Sequence, residues 1–401
     1  MNNRWAPVSL GRIVKPVERP EVPVAGKAYR QVGVKLWGVG AYEREQIDGA
    51  ETRYKTLSRV QADDIIVNKI WARNGSVAVV PKDLSGCYVS GEFPTFTPIP
   101  DKLDPQWVHW ITKTRFFWDQ CDAKSRGTSG KNRIRPERFL EIEIPLPALP
   151  EQRRIVARIE ELAGKIDEAQ TLRQQAAEEA EALVARATSS LVDKAGWIIC
   201  KLGDVLAEPP RNGLSPKSEL ENGGRPMLRI NAVSSSPTRF VDLTAVKMVE
   251  VSDEDAAPFE LRHDDVFIVR YNGDIDRVAK PGIYKGSDTC SSVYPDKLMR
   301  LRPDRSKMLP DFLVFALGSR GVRQQVEQLG KTTAGNIGIS GGNAKSFHVP
   351  VPPLSEQRRI VAELDSLQTR VDALKKLQAE TAAKLDALLP SILDKAFKGE
   401  L

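Results

Sequence analysis

Eight basic residues lie in one stretch of the sequence, between Ile111 and Arg138, and only three acidic residues accompany them. The stretch contains Gly127-Thr-Ser-Gly-Lys-Asn132, a run of small and polar residues whose backbone amides could approach phosphate groups. The matching place in the second half reads Lys331-Thr-Thr-Ala-Gly-Asn-Ile337 and is followed by Ser340-Gly-Gly-Asn343. The pattern predicts two loops that bind a polyanion, and an ordinary solvated basic loop is the alternative interpretation.

The residue types of these loops suit nucleic acid, because Arg and Lys clamp phosphates while Arg, Asn and Gln can read base edges. Two further Asn-Gly pairs with a neighbouring Arg belong to the same chemistry, although Asn-Gly also marks plain turns. The candidate DNA contacts are Arg73, Asn74, Lys113, Arg115, Lys131, Asn132, Arg133, Arg270, Asn272, Lys331, Thr332, Asn336 and Asn343.

Catalytic and metal-binding patterns are missing from the sequence. Gly330-Lys331-Thr332 resembles the end of a phosphate-binding loop, but Gln325 stands where that motif needs its first glycine. The four cysteines form no CxxC pair, and with three histidines few residues could serve in acid–base catalysis or bind zinc. We therefore expect a chain without catalytic residues, metal or cofactor of its own, with unpaired thiols as in a reduced cytoplasmic protein.

The charge distribution indicates which segments meet the polyanion. The net charge is +6, and residues 1–150 alone carry 23 basic and 17 acidic residues, whereas residues 151–194 carry 7 and 9. The chain is 41% hydrophobic, yet no apolar run approaches the ~20 residues of a membrane span. The composition predicts globular domains with a basic surface and no membrane partner.

An internal repeat organises the chain. The segment from Ile144 to Leu162 recurs 205 residues later, from Val349 to Leu367, with eleven of nineteen positions identical. Trp5 and Leu10-Gly11 are echoed by Trp197 and Leu202-Gly203. The sequence is thus a tandem duplication of a globular segment followed by a helical one.

Each helical segment carries a narrow apolar stripe with three- and four-residue steps, which is typical of a coiled-coil seam. Leu172 and Leu183 belong to the first stripe, and Leu377 belongs to the second. Pro390 should kink or end the second helix. A pseudo-twofold repeat predicts that the two helices pair antiparallel, and a parallel pairing is the less economical alternative. The fold class is α+β, with two mixed α/β domains separated by two long antiparallel coiled-coil helices.

An identical Glu-Gln-Arg-Arg box opens each helix. The boxes comprise Glu151, Gln152, Arg153, Arg154, Glu356, Gln357, Arg358 and Arg359. Charges at a helix start can simply complement the helix dipole. Because the boxes agree while the globular segments diverge, we interpret them as two equal surfaces for two identical partners.

This organisation closely resembles the specificity subunit of type I restriction–modification enzymes. The resemblance rests on the box Pro-Leu-Pro-Ala-Leu-Pro-Glu-Gln-Arg-Arg-Ile-Val and its second copy, Pro-Val-Pro-Pro-Leu-Ser-Glu-Gln-Arg-Arg-Ile-Val, and it covers essentially the whole chain. It implies target-recognition domains over 1–148 and 196–352, with spacer helices over 149–195 and 353–401.

The resemblance also implies a function. A non-catalytic subunit would read double-stranded DNA, each domain taking one half of a bipartite asymmetric target, while its helices dock two adenine-methyltransferase subunits. S-adenosylmethionine and ATP would be carried by partner subunits only, and restriction or translocase subunits could join. Two rival interpretations remain open at this point, namely a freestanding bivalent DNA-binding regulator and a coiled-coil scaffold.

Overall fold

The computed structural model describes residues 4–126, 132–216, 219–220, 223–236, 238–287, 291–333 and 336–401, without the side chains of residues 331–333. The chain divides into two compact units, the first formed by Met1–Arg173 with Gln378–Leu401 and the second by Gln174–Leu377. Each unit thus joins one globular segment to parts of both helical segments.

The described residues of the first half of the chain form the strands β1 (Pro7–Ser9), β2 (Val14–Val17), β3 (Pro20–Glu21), β4 (Ala28–Lys35), β5 (Gly40–Asp48), β6 (Leu57–Arg59), β7 (Ile65–Val67), β8 (Val77–Val79), β9 (Tyr88–Val89), β10 (Thr95–Pro98) and β11 (Glu143–Pro145). Those of the second half are β12 (Ile199–Lys201), β13 (Leu206–Asn212), β14 (Glu219–Leu220), β15 (Arg225–Leu228), β16 (Val246–Val249), β17 (Val266–Val269), β18 (Tyr271–Asn272), β19 (Pro281–Ile283), β20 (Leu298–Pro303), β21 (Lys331–Thr333), β22 (Asn336–Gly338) and β23 (His348–Pro350).

Helices follow the same duplication. They are α1 (Pro105–Ile111), α2 (Arg115–Lys124), α3 (Pro136–Phe139), α4 (Leu149–Val192), α5 (Asn231–Ser234), α6 (Asp253–Ala256), α7 (Pro310–Gly318), α8 (Arg320–Leu329), α9 (Gly341–Ser346), α10 (Leu354–Asp386) and α11 (Leu388–Lys398). Short 3-10 turns lie at Leu10–Arg12, Ala72–Asn74, Lys82–Leu84, Leu202–Val205, Ala257–Phe259 and Ile275–Arg277. No helix in the described ranges is long and apolar enough to cross a lipid bilayer.

Both units contain a four-stranded antiparallel sheet, in the order β2-β10-β7-β8 in the first and β13-β20-β17-β19 in the second. Each also contains a two-stranded sheet, β1-β11 and β12-β23 respectively, which pairs the start of the globular segment with its end. The remaining sheets differ, because the first unit has the five-stranded sheet β3-β6-β9-β4-β5 and the second has β14-β16-β15 and β18-β22-β21. The duplication therefore preserves a framework, and each copy carries its own additions.

Buried aliphatic residues at the strand centres explain the shared sheet. Every residue of β7 and of β17 is buried, as expected for short strands of continuous apolar sequence. A left-handed residue precedes each of these strands by two positions, Asp63 at φ 68° and Asp264 at φ 71°. Their neighbours are the buried carboxylates Asp64 and Asp265, and each accepts a 2.8 Å hydrogen bond from the amide three residues earlier. The same tight turn thus enters the sheet in both copies.

The two helical segments run antiparallel in the first unit. Ile155 and Ile159, near the start of α4, share a hydrophobic core with Leu393 and Phe397 of α11. Arg154 donates a hydrogen bond to the Leu401 carbonyl oxygen at 3.0 Å, and Gln170 donates to Asp386 at 3.3 Å. As the residue number rises along one helix it falls along the other, which confirms the predicted direction.

The second unit repeats this arrangement with the opposite ends. Val192, the last residue of α4, shares a core with Ile360 and Leu364 of α10. Lys375 pairs with Glu181 at 2.5 Å. The helices are again antiparallel, because the end of α4 lies beside the start of α10.

Proline and threonine set two helix boundaries. The break at Ala387 between α10 and α11 confirms the expected effect of Pro390, whose ring excludes the carbonyl of Asp386 from a helical hydrogen bond. The chain between Trp107 and Phe117 belongs to two helices, because Thr114 caps the second by accepting a hydrogen bond from the Phe117 amide at 3.3 Å.

Candidate nucleic-acid interface

In the second unit, three short strands bring four of the predicted DNA contacts onto one sheet. Arg270 leads directly into β18, which contains Asn272 and pairs with β22, and β22 pairs in turn with β21. Thr332 lies opposite Ile337, and Asn336 opposite Thr333. The Ile339 amide donates to the Arg270 carbonyl oxygen at 2.9 Å, which continues the pairing of β22 with β18 by one more hydrogen bond.

Beside this sheet lies an open cavity of about 420 Å³. Its lining combines a guanidinium, a phenol, a hydroxyl and two amides, from Arg270, Tyr271, Ser340, Asn336 and Asn343. Such a set of donors and acceptors suits phosphate oxygens and base edges. The structure therefore brings together residues that are up to 73 positions apart in the sequence.

The side chains that line this cavity differ in the hydrogen bonds that they already make within the protein. Arg270 has no carboxylate partner in the described part of the chain. Its guanidinium donates to the Asp296 carbonyl oxygen at 3.4 Å and lies 5.7 Å from the centre of the Tyr271 ring. Tyr271 donates to the Asp296 carboxylate at 3.3 Å, and its pKa is raised by burial and by that carboxylate. Asn343 donates to the Leu329 carbonyl oxygen and accepts from the hydroxyl of Ser340. Arg270 is thus the available cation, while Asn343 also supports the loop.

The first unit holds an antiparallel bridge at the corresponding place. Arg126 and Arg133 form a β-bridge, as Lys331 and Gly338 do 205 residues later. Lys131 lies outside the described residues. Asn132 is half-buried, and the Arg133 guanidinium lies 3.3 Å from Glu92.

Lys69 was not among the predicted contacts, although it is the structural counterpart of Arg270. The Ile134 amide donates to the Lys69 carbonyl oxygen at 2.9 Å, just as Ile339 does to Arg270. The sequence contains a sign of this equivalence, because Lys69 and Arg270 each lie five residues after an Asp-Asp pair, just beyond a short apolar run. The Lys69 ammonium group donates to the Gly91 carbonyl oxygen at 2.6 Å.

The two Asn-Gly pairs, by contrast, are not equivalent. Asn74 ends a 3-10 turn that Gly75 closes in the left-handed conformation, whereas Asn272 lies in a strand. Arg73 is half-buried in that turn and pairs with no carboxylate among the described residues. The two pairs therefore differ in local structure, although their sequences are alike.

Lys113 lies between α1 and α2, and Arg115 is the first residue of α2. The Lys113 ammonium group lies 5.1 Å from the centre of the Trp110 ring, and burial lowers its pKa. Arg115 is highly exposed and pairs with Asp119 at 3.1 Å. Both line a cavity of about 160 Å³ against Phe397 and Lys398 of α11.

The Glu-Gln-Arg-Arg boxes contain a feature that the sequence did not reveal. Gln152 and Gln357 are completely buried. Gln152 accepts from the Asp104 amide at 2.9 Å and donates to the carbonyl oxygens of Lys102 and Pro147, both at 2.9 Å. These two amides therefore clamp the start of each helix to its own globular segment, and neither can face a partner.

The second clamp repeats the first at a spacing of 205 residues. Gln357 accepts from the Leu309 amide at 2.7 Å and donates to the carbonyl oxygens of Lys307 and Pro352, both at 2.8 Å. Each of its partners is the duplicate of a Gln152 partner. Within the boxes, only the charged residues can therefore contribute to the predicted partner surface.

Those charged residues remain accessible. Glu151 pairs with Arg154 at 2.8 Å, and that hydrogen bond lowers the pKa of Glu151. Arg153 lies 3.6 Å from Asp104.

In the second box, Arg359 pairs with Glu356 at 3.0 Å and with Glu363 at 2.9 Å. Arg358 is exposed and has no ion-pair partner among the residues that the structure describes.

Titratable groups in the described ranges form no cluster that could hold a metal ion. Burial and the nearby Lys113 lower the pKa of the His109 imidazole from 6.5 to about 4. Burial raises the pKa of the Cys121 thiol.

Comparison with known proteins agrees with this duplicated geometry. Residues 2–178 and 194–382 both match the family described as the type I restriction modification DNA specificity domain. The specificity subunit of the type I restriction enzyme EcoKI, from Escherichia coli strain K12, is 29% identical over 366 residues, which cover 86% of this chain and 76% of that protein. The StySPI specificity subunit from Salmonella potsdam is 26% identical, over 75% of this chain and 67% of its own length.

Solved structures show the same architecture. The HsdS subunit from Thermoanaerobacter tengcongensis aligns with a TM-score of 0.65 at 26% identity, covering 99% of this chain and 97% of its own. A chain from a structure that addresses complex assembly and conformational transition of the type I restriction–modification system aligns with a TM-score of 0.73, also at 26% identity, covering 99% and 98%. The family match extends over most of the chain and occurs once in each half, so this protein belongs to the family of type I restriction–modification DNA specificity subunits.

Proposed function

We propose that each unit of this specificity subunit reads one half of a bipartite, asymmetric double-stranded DNA target. The observation that carries the proposal is the strand pairing that recurs after 205 residues. Arg126 bridges Arg133 in the first unit as Lys331 pairs with Gly338 in the second. Two equivalent pairings on divergent surroundings suit two readers that use the same approach to the duplex and recognise different bases.

In the second unit the proposed contacts divide by chemistry. Arg270 is an unpaired guanidinium at the cavity rim, so it can bind a phosphate or the O6 and N7 acceptors of guanine. Asn336 is exposed at the start of β22 and offers the amide geometry that matches adenine. Asn343 holds the loop in place, and Lys331 and Thr332 belong to the adjoining strand.

In the first unit, two of the proposed cations are already engaged with carboxylates. Arg115 and Arg133 already have carboxylate partners at 3.1 Å and 3.3 Å, so DNA would have to displace Asp119 and Glu92. Arg73 has no such partner in the described part of the chain. We therefore assign the larger share of phosphate binding in this unit to Arg73.

We further propose that the charged residues of the two boxes contact two adenine-methyltransferase subunits, one per box. Glu151, Arg153 and Arg154 in the first box and Glu356, Arg358 and Arg359 in the second are accessible. Leu172, Leu183 and Leu377, predicted in the apolar stripes, are 57%, 47% and 58% exposed and could extend these surfaces. S-adenosylmethionine and ATP would be bound by partner subunits, while this chain supplies recognition.

Domain exchange tests the reading of half-sites. Replacing residues 197–348 with the corresponding segment of another family member should change one half of the methylated sequence and leave the other half intact. The matched exchange within residues 1–145 should change the opposite half. A chimera with both halves altered would contradict independent reading.

Co-purification tests the boxes. Arg358→Glu should weaken capture of the methyltransferase, because it reverses an exposed charge without breaking a described ion pair. Arg370→Glu, at an exposed position of α10 with no ion pair among the described residues, is the control for charge reversal on a helix. Equal capture by both variants and the unchanged chain would refute the role of the second box.

A further inference from the structure

A junction in the first unit exposes two tryptophans beside the candidate interface. The turn between β4 and β5 meets the 3-10 turn Ala72–Asn74, where the Trp37 amide donates to the Asn74 carbonyl oxygen at 2.7 Å. The Gly38 amide donates to the Gly75 carbonyl oxygen at 3.1 Å. We call Trp37, Gly38, Trp71 and Arg73 to Gly75 the tryptophan junction.

Glycine allows this close approach. Gly38 and Gly75 both have left-handed backbones, at φ 68° and 76°. A Cβ atom on Gly75 would lie 2.8 Å from the Gly38 nitrogen and 2.7 Å from Trp118, and one on Gly38 would lie 2.8 Å from the Lys113 Cα atom. The two turns therefore approach so closely that neither glycine position has room for a side chain.

Trp37 occupies this junction at a conformational cost. Its φ of 59° places a bulky residue in the left-handed region, which such residues rarely adopt. One edge of its ring meets Trp118 at 5.7 Å between centroids, yet 55% of the residue is exposed. Trp71, at the start of the 3-10 turn, is 45% exposed. Strain retained at an exposed aromatic points to a function rather than to core packing.

The charge of the junction and its position beside the candidate DNA surface identify DNA as its ligand. Arg73 lies within it and has no carboxylate partner among the described residues, which favours phosphate. The segment between β7 and this junction also contains Lys69, whose carbonyl oxygen accepts a hydrogen bond from the Ile134 amide beside the Arg126–Arg133 bridge. The junction is thus an extension of the candidate DNA surface.

We propose that the tryptophan junction is a DNA contact in which Trp37 wedges against a base step of the first half-site and Arg73 binds an adjacent phosphate. The inference rests on the proposed function and names residues that the repeat alone does not indicate. Apolar wedges unstack a base step and fix the DNA in a bent form that makes further contacts. In the second unit, the described residues include no exposed tryptophan, so this contact distinguishes the first half-site from the second.

The test uses the complex of this chain with its methyltransferase and a target duplex identified by methylome sequencing. Trp37→Ala should weaken target binding about 10- to 100-fold, as loss of one base–aromatic contact does, and Trp37→Phe should restore most of it. Arg73→Ala should reduce the salt dependence of binding by about one unit of slope, while Arg158→Ala on α4 leaves it unchanged.

A spectroscopic signature separates a wedge from a merely structural residue. 2-Aminopurine placed at successive positions of the first half-site, other than the methylated adenine, should brighten at one step with the unchanged complex and not with Trp37→Ala. Thermal unfolding should confirm that both variants fold. Unchanged affinity and fluorescence in Trp37→Ala would overturn the inference, as would loss of methyltransferase capture in place of DNA binding. A wild-type complex that binds no bipartite target would instead overturn the proposed function, and the inference with it.

Discussion

Replacing the buried Gln152 by leucine should destabilise the first unit strongly. The side chain makes three hydrogen bonds of 2.9 Å, one from the Asp104 amide and two to the carbonyl oxygens of Lys102 and Pro147. Leucine keeps most of the volume but leaves those three backbone groups without their partner. The change therefore isolates the hydrogen bonds of the clamp from its packing.

The magnitude follows from the burial. Each buried polar group that loses its only partner costs about 1–3 kcal/mol, and a small relaxation toward water offsets part of the sum. We expect a loss of about 3–5 kcal/mol in the unfolding free energy. For a unit of about 200 residues this corresponds to a decrease of roughly 10 °C in melting temperature.

Thermal unfolding and amide hydrogen exchange measure the effect. In Gln152→Leu the Asp104 amide should lose protection while the Leu309 amide keeps it, and Gln357→Leu should show the reverse. The matched pair provides its own control, because the two clamps share every partner type. Arg153→Ala, beside the clamp and exposed, should change stability little. Wild-type stability in Gln152→Leu together with loss of methyltransferase capture would refute the clamp and return this glutamine to the partner surface.

Three further predictions follow from other described contacts. Asp265→Ala removes a buried carboxylate that Arg302 contacts at 2.6 Å. Denaturant unfolding should therefore show a decrease of about 3–5 kcal/mol in the free energy of unfolding, and a decrease below about 1 kcal/mol would contradict this prediction. The folded chain lowers the pKa of His109 to about 4, so between about pH 6.5 and 4 the unfolded chain binds a proton that the folded chain does not. The free energy of unfolding should therefore fall by about 3 kcal/mol as the pH decreases through this range. If His109→Gln shows the same pH dependence, the assignment to His109 fails. The isolated chain should bind no S-adenosylmethionine, and specific heat of binding in calorimetry would refute this expectation.

Much of the architecture follows from sequence because repeats and stripes are local patterns. The 205-residue repeat predicts two equivalent halves, and both halves contain the same four-stranded framework. The apolar steps of the helical segments predict the paired helices, and antiparallel pairing follows from the duplication. Strands such as Ile65–Val67 are visible because they are short, continuous apolar runs.

The side chains of the site were less predictable, because their environment depends on tertiary contacts. Gln152 is a polar residue in the first turn of a helix, where exposure is the usual expectation, and only the folded chain shows the three backbone groups that bury it. Lys113 resembles a free phosphate ligand in the sequence, whereas its ammonium group lies over the Trp110 ring. The Asn-Gly pairs look equivalent, but Asn74 ends a 3-10 turn and Asn272 lies in a strand.

Methylome sequencing of a host that expresses this chain with its methyltransferase tests the central claim most directly, with Arg270→Ala measured beside the unchanged protein. We expect adenine methylation at one bipartite, asymmetric motif, and in Arg270→Ala a relaxed or weakened preference in one half only, because Arg270 belongs to the second unit. A continuous motif, a motif with both halves altered by Arg270→Ala, or no motif that depends on this chain would contradict the account.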